Sequence, residues 1–415
     1  MMNYVWLFLL VIAVIVGAFT GTIKDVTQSA FDLAGTAVEI AIGLIGIMTL
    51  WLGIMKIAEE AGLIRLLARA LTPISKRLFP QVPTDHPAIG AMMLNVSANW
   101  LGLGNAATPF GIKAMEHLQD LNEDKDSASN AMIMFLGLNT ASITLIPMTI
   151  IGVRTSLGSQ HPAAIIGTTI FASLMATLTA ILVVKLFSNL SLGVRGIFRN
   201  LLRAWKWWTA LVLLILLLLT AKHTGVGAAV DALLPPDTLK RVISFISTWA
   251  IPALLLIIPI LAAIKKIKVY EVFVEGAKEG FQVAVRIIPF LVAILAAIGM
   301  FRASGAMEFL VGLLTPVTHL IGMPGEILPA ALMRPLSGSG TLGIITELLE
   351  THGPDSFIGY LASTIYGCTE TTFYVIAVYF GAVGIKNTRF AIPAGLIADA
   401  VGVLAALFIC RMVFL

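Results

Sequence analysis

Phe357-Ile-Gly-Tyr-Leu-Ala-Ser-Thr-Ile-Tyr-Gly-Cys-Thr-Glu370-Thr-Thr-Phe-Tyr-Val-Ile-Ala-Val-Tyr-Phe-Gly-Ala382 is an apolar stretch with one charge, Glu370, near its centre. No other charged residue lies between Asp355 and Lys386. A helix of about 20 mainly apolar residues spans a hydrocarbon core of ~30 Å. The stretch therefore reads as a membrane span carrying a polar belt, Thr364 to Thr372, at mid-depth. Uncharged runs recur at Tyr4–Ile23, Ile40–Met55, Ser127–Val153, Thr155–Val184, Val242–Ile264 and Ile287–Phe301. Of the 415 residues 58% are apolar and only 12% charged, against roughly 25% charged in a soluble domain. Mean hydropathy is +0.95. These figures define an all-α polytopic membrane protein.

Other classes are excluded by residue usage. The net charge is only +4, and the basic residues flank apolar spans, which speaks for a lipid bilayer and against nucleic acid as partner. Cys368 and Cys410, the only cysteines, lie in apolar segments and build no disulfide framework. No CxxC, HExxH or phosphate-loop motif is present, and no histidine lies in a deep span to activate a nucleophile. We expect no enzymatic activity, no resident cofactor and no metal. The first run lacks a basic leader and a small-residue cleavage site, so it reads as a retained helix.

About nine full spans fit the pattern, at residues 3–22, 37–57, 129–152, 162–186, 205–222, 244–264, 281–301, 357–382 and 391–412. Segments 86–118 and 328–349 have glycine-, proline- and polar-rich centres and suit re-entrant helical hairpins. Asp25–Gly35 and Val269–Glu279 read as amphipathic helices along the interface, and Trp205, Trp207 and Trp208 as an aromatic anchor. With both hairpins non-crossing and the N-terminus cytoplasmic, most of the 27 Lys and Arg residues fall on inner loops, as the positive-inside rule requires. The C-terminus is then outside.

The sequence also repeats itself. Gly62-Leu-Ile-Arg-Leu-Leu-Ala-Arg-Ala-Leu-Thr-Pro73 aligns with Gly305-Ala-Met-Glu-Phe-Leu-Val-Gly-Leu-Leu-Thr-Pro316, with Gly, two Leu and the closing Thr-Pro shared. Pro87-Ala88 matches Pro329-Ala330, and the polar positions of the two hairpins and of the two following spans also correspond. Each unit reads as span, amphipathic segment ending in Thr-Pro, re-entrant hairpin, polar span and final span. An odd number of crossings between the units inverts the second, a secondary-transporter design.

Polar groups in hydrocarbon cost several kcal/mol unless paired, so intramembrane clusters face a cavity or each other. Candidate substrate-binding residues are accordingly Asn95, Ser97, Asn99, Asn105, Thr108, Asn139, Thr140 and Ser142 from the first unit. Arg334, Ser337, Ser339, Thr341, Thr369, Glu370 and Thr371 come from the second. Arg334 suits an anionic group. Glu370, at mid-span, is expected to be protonated, paired or cation-bound, and an Arg334–Glu370 pair is the structural alternative. Asp399, eight residues into the last span, is the weaker second carboxylate.

Two motif sets then become recognisable. Gly104-Asn-Ala-Ala-Thr-Pro-Phe-Gly-Ile-Lys-Ala-Met-Glu116 and Leu138-Asn-Thr-Ala-Ser-Ile-Thr-Leu-Ile-Pro147 resemble the spore maturation protein A family. Arg334-Pro-Leu-Ser-Gly-Ser-Gly340 and Tyr366-Gly-Cys-Thr-Glu-Thr-Thr-Phe-Tyr374 resemble the spore maturation protein B family. The resemblance implies a natural fusion: residues 1–190 as one gate-type (nucleoside recognition) unit, 191–267 as two connecting transmembrane helices, and 268–415 as the second unit. It implies a multi-pass protein of a bacterial inner membrane in which two gate units form one transporter-like body. The expected function is secondary transport of a small polar or anionic solute, nucleoside-like or a carboxylate, coupled to Na⁺ or H⁺ with Glu370 carrying the coupling ion. A non-transporting envelope or spore-maturation scaffold is the alternative, and a homodimer is compatible with either.

Overall fold

A computed structural model describes residues 2–102, 107–190, 209 and 236–415. The described residues form helices and short connections. Chain order runs α1 (Met2–Thr20), α2 (Ile23–Glu60), α3 (Leu63–Leu78), α4 (Pro87–Trp100), α5 (Thr108–Asp120), α6 (Asn130–Thr140), α7 (Met148–Ser156) and α8 (Ile166–Leu190). After the connecting segment come α9 (Pro236–Ile264), α10 (Val269–Ala303), α11 (Ala306–Ile321), α12 (Leu328–Met333), α13 (Gly338–His352), α14 (Phe357–Cys368), α15 (Thr372–Ala382) and α16 (Ala391–Phe414).

Among the described residues, five stretches are long and apolar enough to cross a membrane: Ile23–Glu60, Pro162–Ser188, Ser247–Ile264, Val269–Ala303 and Ala391–Phe414. The expected spans 129–152 and 357–382 are each divided into two short helices. The first breaks after Thr140 and resumes after Pro147; the second breaks at Thr369-Glu370-Thr371. Pro147 explains the first interruption, since a proline cannot donate to the helix ladder and disfavours helical backbone in the residue before it. The expected span 205–222, with Trp205, Trp207 and Trp208, lies outside the described residues.

The interfacial helices expected at Asp25–Gly35 and Val269–Glu279 are not separate elements. Each runs without interruption into the span that follows, giving the 38-residue α2 and the 35-residue α10. At 1.5 Å per residue both exceed the ~30 Å core, so each extends well past it. They pack against each other in opposite directions along much of their length. Gly276 and Gly280, a small-xxx-small pair, let α10 approach so closely that an added Cβ would sit 2.5 Å from the Leu52 and Met48 carbonyl oxygens. Such close backbone approach is how helices gain dispersion contacts in lipid, where burial alone supplies little.

Both aligned amphipathic segments form a helix entered through a left-handed glycine: Gly62 (φ 72°) before α3 and Gly305 (φ 85°) before α11. The Thr-Pro pairs, expected to end these segments, do not end the helices; Pro73 and Pro316 lie inside them. In α3 the local hydroxyls take up carbonyls, Thr72 donating to Ala68 at 2.9 Å and Ser75 to Thr72 at 2.6 Å. The polar spans start alike, with Ser129 capping α6 and Ser356 capping α14 through backbone N–H groups three residues on, a local N-terminal signal.

Paired loops close the body at two places. In one, Asp355 binds Arg154 (2.8 Å), the Ser159 hydroxyl (2.6 Å) and the Gln160 N–H (2.7 Å). Arg154 is fully buried and also donates to the carbonyls of Pro354, Pro162 and His161. In the other, the Lys386 and Asn387 N–H groups donate to the Asp126 carbonyl, and Ala128 N–H to Asn387. Asp120–Asp126 is largely exposed but tied down by these bonds. Met132 and Met134 pack in the core.

Candidate solute-binding site

The two helix breaks meet. Glu370 N–H donates to the Thr140 carbonyl at 2.7 Å, joining the end of α6 to the gap between α14 and α15. Each break also touches the turn of the preceding helical pair. Leu145 N–H donates to Trp100, at the end of α4, at 3.2 Å, and Phe373 N–H donates to Pro335, between α12 and α13, at 3.0 Å. Backbone groups freed by breaking a helix must find partners when buried, and here they find each other.

A cavity of ≈ 130 Å³ opens where these pieces converge. Its wall includes Trp51 of α2, Asn99 near the end of α4 and Gly102 just past it, Thr144, Ile146 and Pro147 of the first break, Thr149 of α7, Arg334, Tyr366 and Glu370. Sites that enclose drug-sized ligands usually run to about 300–1,000 Å³, so this chamber holds only a small group as it stands.

Arg334 is buried and donates to the Thr369 carbonyl, and its guanidinium lies 4.6 Å from the centre of the Tyr366 ring. Its nearest carboxylate oxygen, on Glu370, is 3.7 Å away. The pair is present but long. Contrary to the expectation of a buried mid-span acid, the Glu370 side chain is 53% exposed, because the break turns it out of the helix and into the opening. Two donors at the cavity lack partners among the described residues: Nε of Arg334 and Nε1 of Trp51. An unpaired buried N–H costs about 1–3 kcal/mol, so an acceptor-bearing solute is the natural complement.

Of the residues expected in the site, Asn99, Arg334 and Glu370 line this cavity. Asn139 and Asn95 stand behind it in a relay. Asn99 Nδ2 donates to Asn139 Oδ1 (2.9 Å), Tyr379 Oη donates to the same oxygen (3.3 Å), and Asn95 Nδ2 donates to Tyr379 (3.0 Å). Thr140 contributes its carbonyl, while its hydroxyl, like those of Ser142 and Thr341, bonds to nearby backbone. Ser337 caps α13 by accepting from Gly340 N–H, with Ser339 3.4 Å away. Thr371 is buried at the start of α15 without a capping bond. Ser97 and Thr369 are buried with hydroxyls that lack partners. Thr108 is elsewhere, in a wider cleft of ≈ 530 Å³ with Lys113, Glu116 and Tyr374. Asn105 lies outside the described residues.

Sequence reasoning passed over Trp51 and Tyr379. A tryptophan in the middle of the uncharged run Ile40–Met55, away from the interfaces where membrane tryptophans gather, was the available signal. Tyr379 stacks on Phe135 at 5.9 Å and reads from sequence as one more apolar position.

A helical membrane protein with two interrupted helices, each bonded to the turn of a preceding helical pair, is the class this geometry defines. The model for the Gate family, nucleoside recognition, matches residues 41–157 and 284–386, just over half of the chain. The chain belongs to this family. It is 49% identical to spore maturation protein B of Bacillus subtilis (strain 168) over 174 residues, 42% of this chain and 98% of that protein. It is 44% identical to spore maturation protein A of the same organism over 187 residues, 45% of this chain and 95% of that protein. No solved structure matches the chain.

Proposed function

We propose that the protein is a secondary transporter of a small polar or anionic solute in a bacterial inner membrane, driven by a Na⁺ or proton gradient. The observation that carries the reading is the convergence of both breaks and both turns on one cavity with two unpaired donors, Trp51 and Arg334, opposite Glu370. Ligand sites in transporters form where discontinuous helices of two inverted repeats meet near the midplane. The shared features of the two units support such a repeat: the left-handed glycines, the internal prolines, the serine caps and the matching break-to-turn hydrogen bonds.

In this account Trp51 and Arg334 hold an acceptor or anionic group, and Asn99 and Asn139 orient it. Alternating access moves the paired helices α4–α5 and α12–α13 against the long helices. The limited volume fits a closed state, so admission of a solute the size of a nucleoside or dicarboxylate needs that movement. The N-terminus is cytoplasmic, and the loops joined by Arg154 and Asp355 face outward.

The test is uptake into proteoliposomes, under imposed Na⁺ and proton gradients, of a panel of nucleosides, nucleobases and mono- and dicarboxylates. Uptake of at least one class, reduced tenfold or more by Arg334→Gln, is the expected result. A folded protein that moves none of them, and whose cavity variants are silent in cells, would leave the scaffold reading in its place.

A further inference from the structure

The described carboxylates of the intramembrane region are not equivalent, and the one the site does not use is the more constrained. Asp399 of α16 is 4% exposed. Oδ2 accepts from the Thr372 hydroxyl at 2.7 Å, while Oδ1 has no partner among the described residues. The Thr369 hydroxyl, also buried, has none either. Both oxygens belong to the second break and the helix laid across it.

The local packing explains how they come together. Gly395, Asp399 and Gly402 recur at helical spacing on one face of α16. A Cβ added at Gly395 would meet Thr372 Cγ2 at 2.6 Å, and one at Gly402 would meet Thr369 Cγ2 at 2.9 Å. The two glycines thus bring this face of α16, with Asp399 between them, against the Thr369 and Thr372 side chains. Next to it, Ala398 packs on Ala141 of the first break and on Ala176 and Ala180 of α8. The hydroxyls of α8 serve the first break: Ser173 accepts from Thr144 N–H, and Thr177 donates to the Ala141 carbonyl. At the second break the corresponding neighbour presents a carboxylate.

Charge counting then points to a ligand. Among the described residues, the charged and titratable groups within electrostatic reach of Asp399 are Arg334, Glu370 and Cys368. With the thiol neutral, one guanidinium and two carboxylates leave one negative charge uncompensated in a region where charge is costly to bury. A proton on Oδ1 would remove the charge but leave an unpartnered donor in place of an unpartnered acceptor, with the Thr369 hydroxyl still unserved. A small monovalent cation answers both oxygens and the charge. The donors are hard oxygens, as such ions prefer. No group of three or more Asp, Glu, His or Cys side chains suited to a multivalent ion occurs among the described residues.

We propose that Asp399, Thr372 and Thr369 form a monovalent-cation site for Na⁺, separate from the Arg334–Glu370 pair that faces the solute. The inference rests on the transporter reading for its physiological role, as the seat of the driving ion, but not for its chemistry. It moves ion coupling from the exposed Glu370 to the buried Asp399. It also places the ion one residue along the chain from the solute cavity, so that filling the site would fix the break to which the solute binds.

The experiment is equilibrium binding of radioactive Na⁺ to the purified full-length chain in detergent, with choline as the balancing cation and size-exclusion chromatography to verify folding. Wild type is expected to bind one Na⁺ saturably. Asp399→Asn, which keeps the shape and the Thr372 contact, should weaken binding tenfold or more, and Thr369→Ala should weaken it with the carboxylate intact. Glu370→Gln, which removes a nearby negative charge but no ligand oxygen, should weaken it less than Asp399→Asn does. Absence of saturable Na⁺ binding in the folded wild type overturns the proposal, as does loss in Glu370→Gln with retention in Asp399→Asn. Na⁺ binding without uptake of any solute would remove the transport reading and leave this site. Proton-driven uptake without Na⁺ binding would do the reverse.

Discussion

Replacing Asp355 by alanine is the most demanding perturbation of the fold around the site, because it strands a charge. Arg154 is fully buried, and Asp355 is its only carboxylate partner among the described residues. Removing one member of a buried pair typically costs 3–5 kcal/mol, most of it the penalty of the charge left behind. Two features argue for the lower end. The Asp355 side chain is 29% exposed, and Arg154 keeps its bonds to the Pro162, His161 and Pro354 carbonyls. A loss of ~3 kcal/mol follows, roughly 3–4 °C of apparent melting temperature at the unfolding entropy of a chain of 415 residues. Asp355→Asn, which retains acceptors for Ser159 and Gln160, should lose about half as much.

The pH dependence has a definite sign. Burial alone would raise the Asp355 carboxyl, but hydrogen bonds from Ser159 and Gln160 and the Arg154 charge together hold it below the usual carboxylate range. A group whose folded pKa is lowered stabilises above its unfolded value, near 3.9, and the gain disappears as pH falls through the folded value. The melting-temperature gap between wild type and Asp355→Ala should therefore be constant from pH 5 to 8 and close only below about pH 4. A variant within 1 °C of wild type at pH 7, read by tryptophan fluorescence in detergent, would refute the reasoning.

Three further outcomes follow from geometry. Gly280→Leu forces α10 away from the Met48 backbone, and overpacking of this kind costs about 1–3 kcal/mol or more, so thermal stability and expression should fall sharply; Gly35→Ala, with nothing within 4 Å of its added Cβ, is the matched control. Gly305→Ala should cost about 1 kcal/mol through its left-handed backbone, measurable as a small drop in melting temperature with binding unchanged. Trp51→Phe removes an unpaired buried N–H, so the solute-free protein should be as stable as wild type or more so, while affinity for an acceptor-bearing solute falls; a destabilised variant with unchanged affinity would contradict the role given to Trp51.

The membrane class was legible in the sequence because it rests on charge density and run length, which survive any detail of packing. The paired helices and the polar spans were legible for the same reason: glycine, proline and hydroxyls in hydrocarbon mark interrupted backbone. The depth of each carboxylate was not. Glu370 reads as buried by counting residues along a helix, but unwinding at Thr369–Thr371 turns it into the cavity. Asp399 reads as closer to a span end, yet two glycines press it into the packed interior. Such reversals depend on where a helix stops, which is set by tertiary partners such as the Glu370–Thr140 bond. Trp51 was missed because an indole N–H without a partner is a property of three-dimensional surroundings. The fusion of long interfacial and spanning helices went unread for want of any break signal between Gly35 and the span.

The central claim, that a polar cavity reachable by solutes lies where the breaks meet, is tested most directly by cysteine accessibility. Cys368 and Cys410, both buried, would first be replaced by alanine. Single cysteines at Thr144 and Thr149, which line the cavity, would then be compared with one at Ser97, which is fully buried behind it. The protein would sit in lipid vesicles and meet a small anionic thiosulfonate from either side. The account predicts labelling at Thr144 and Thr149, slowed by a transported solute, and none at Ser97. Labelling at the two lining positions no faster than at Ser97 would contradict it.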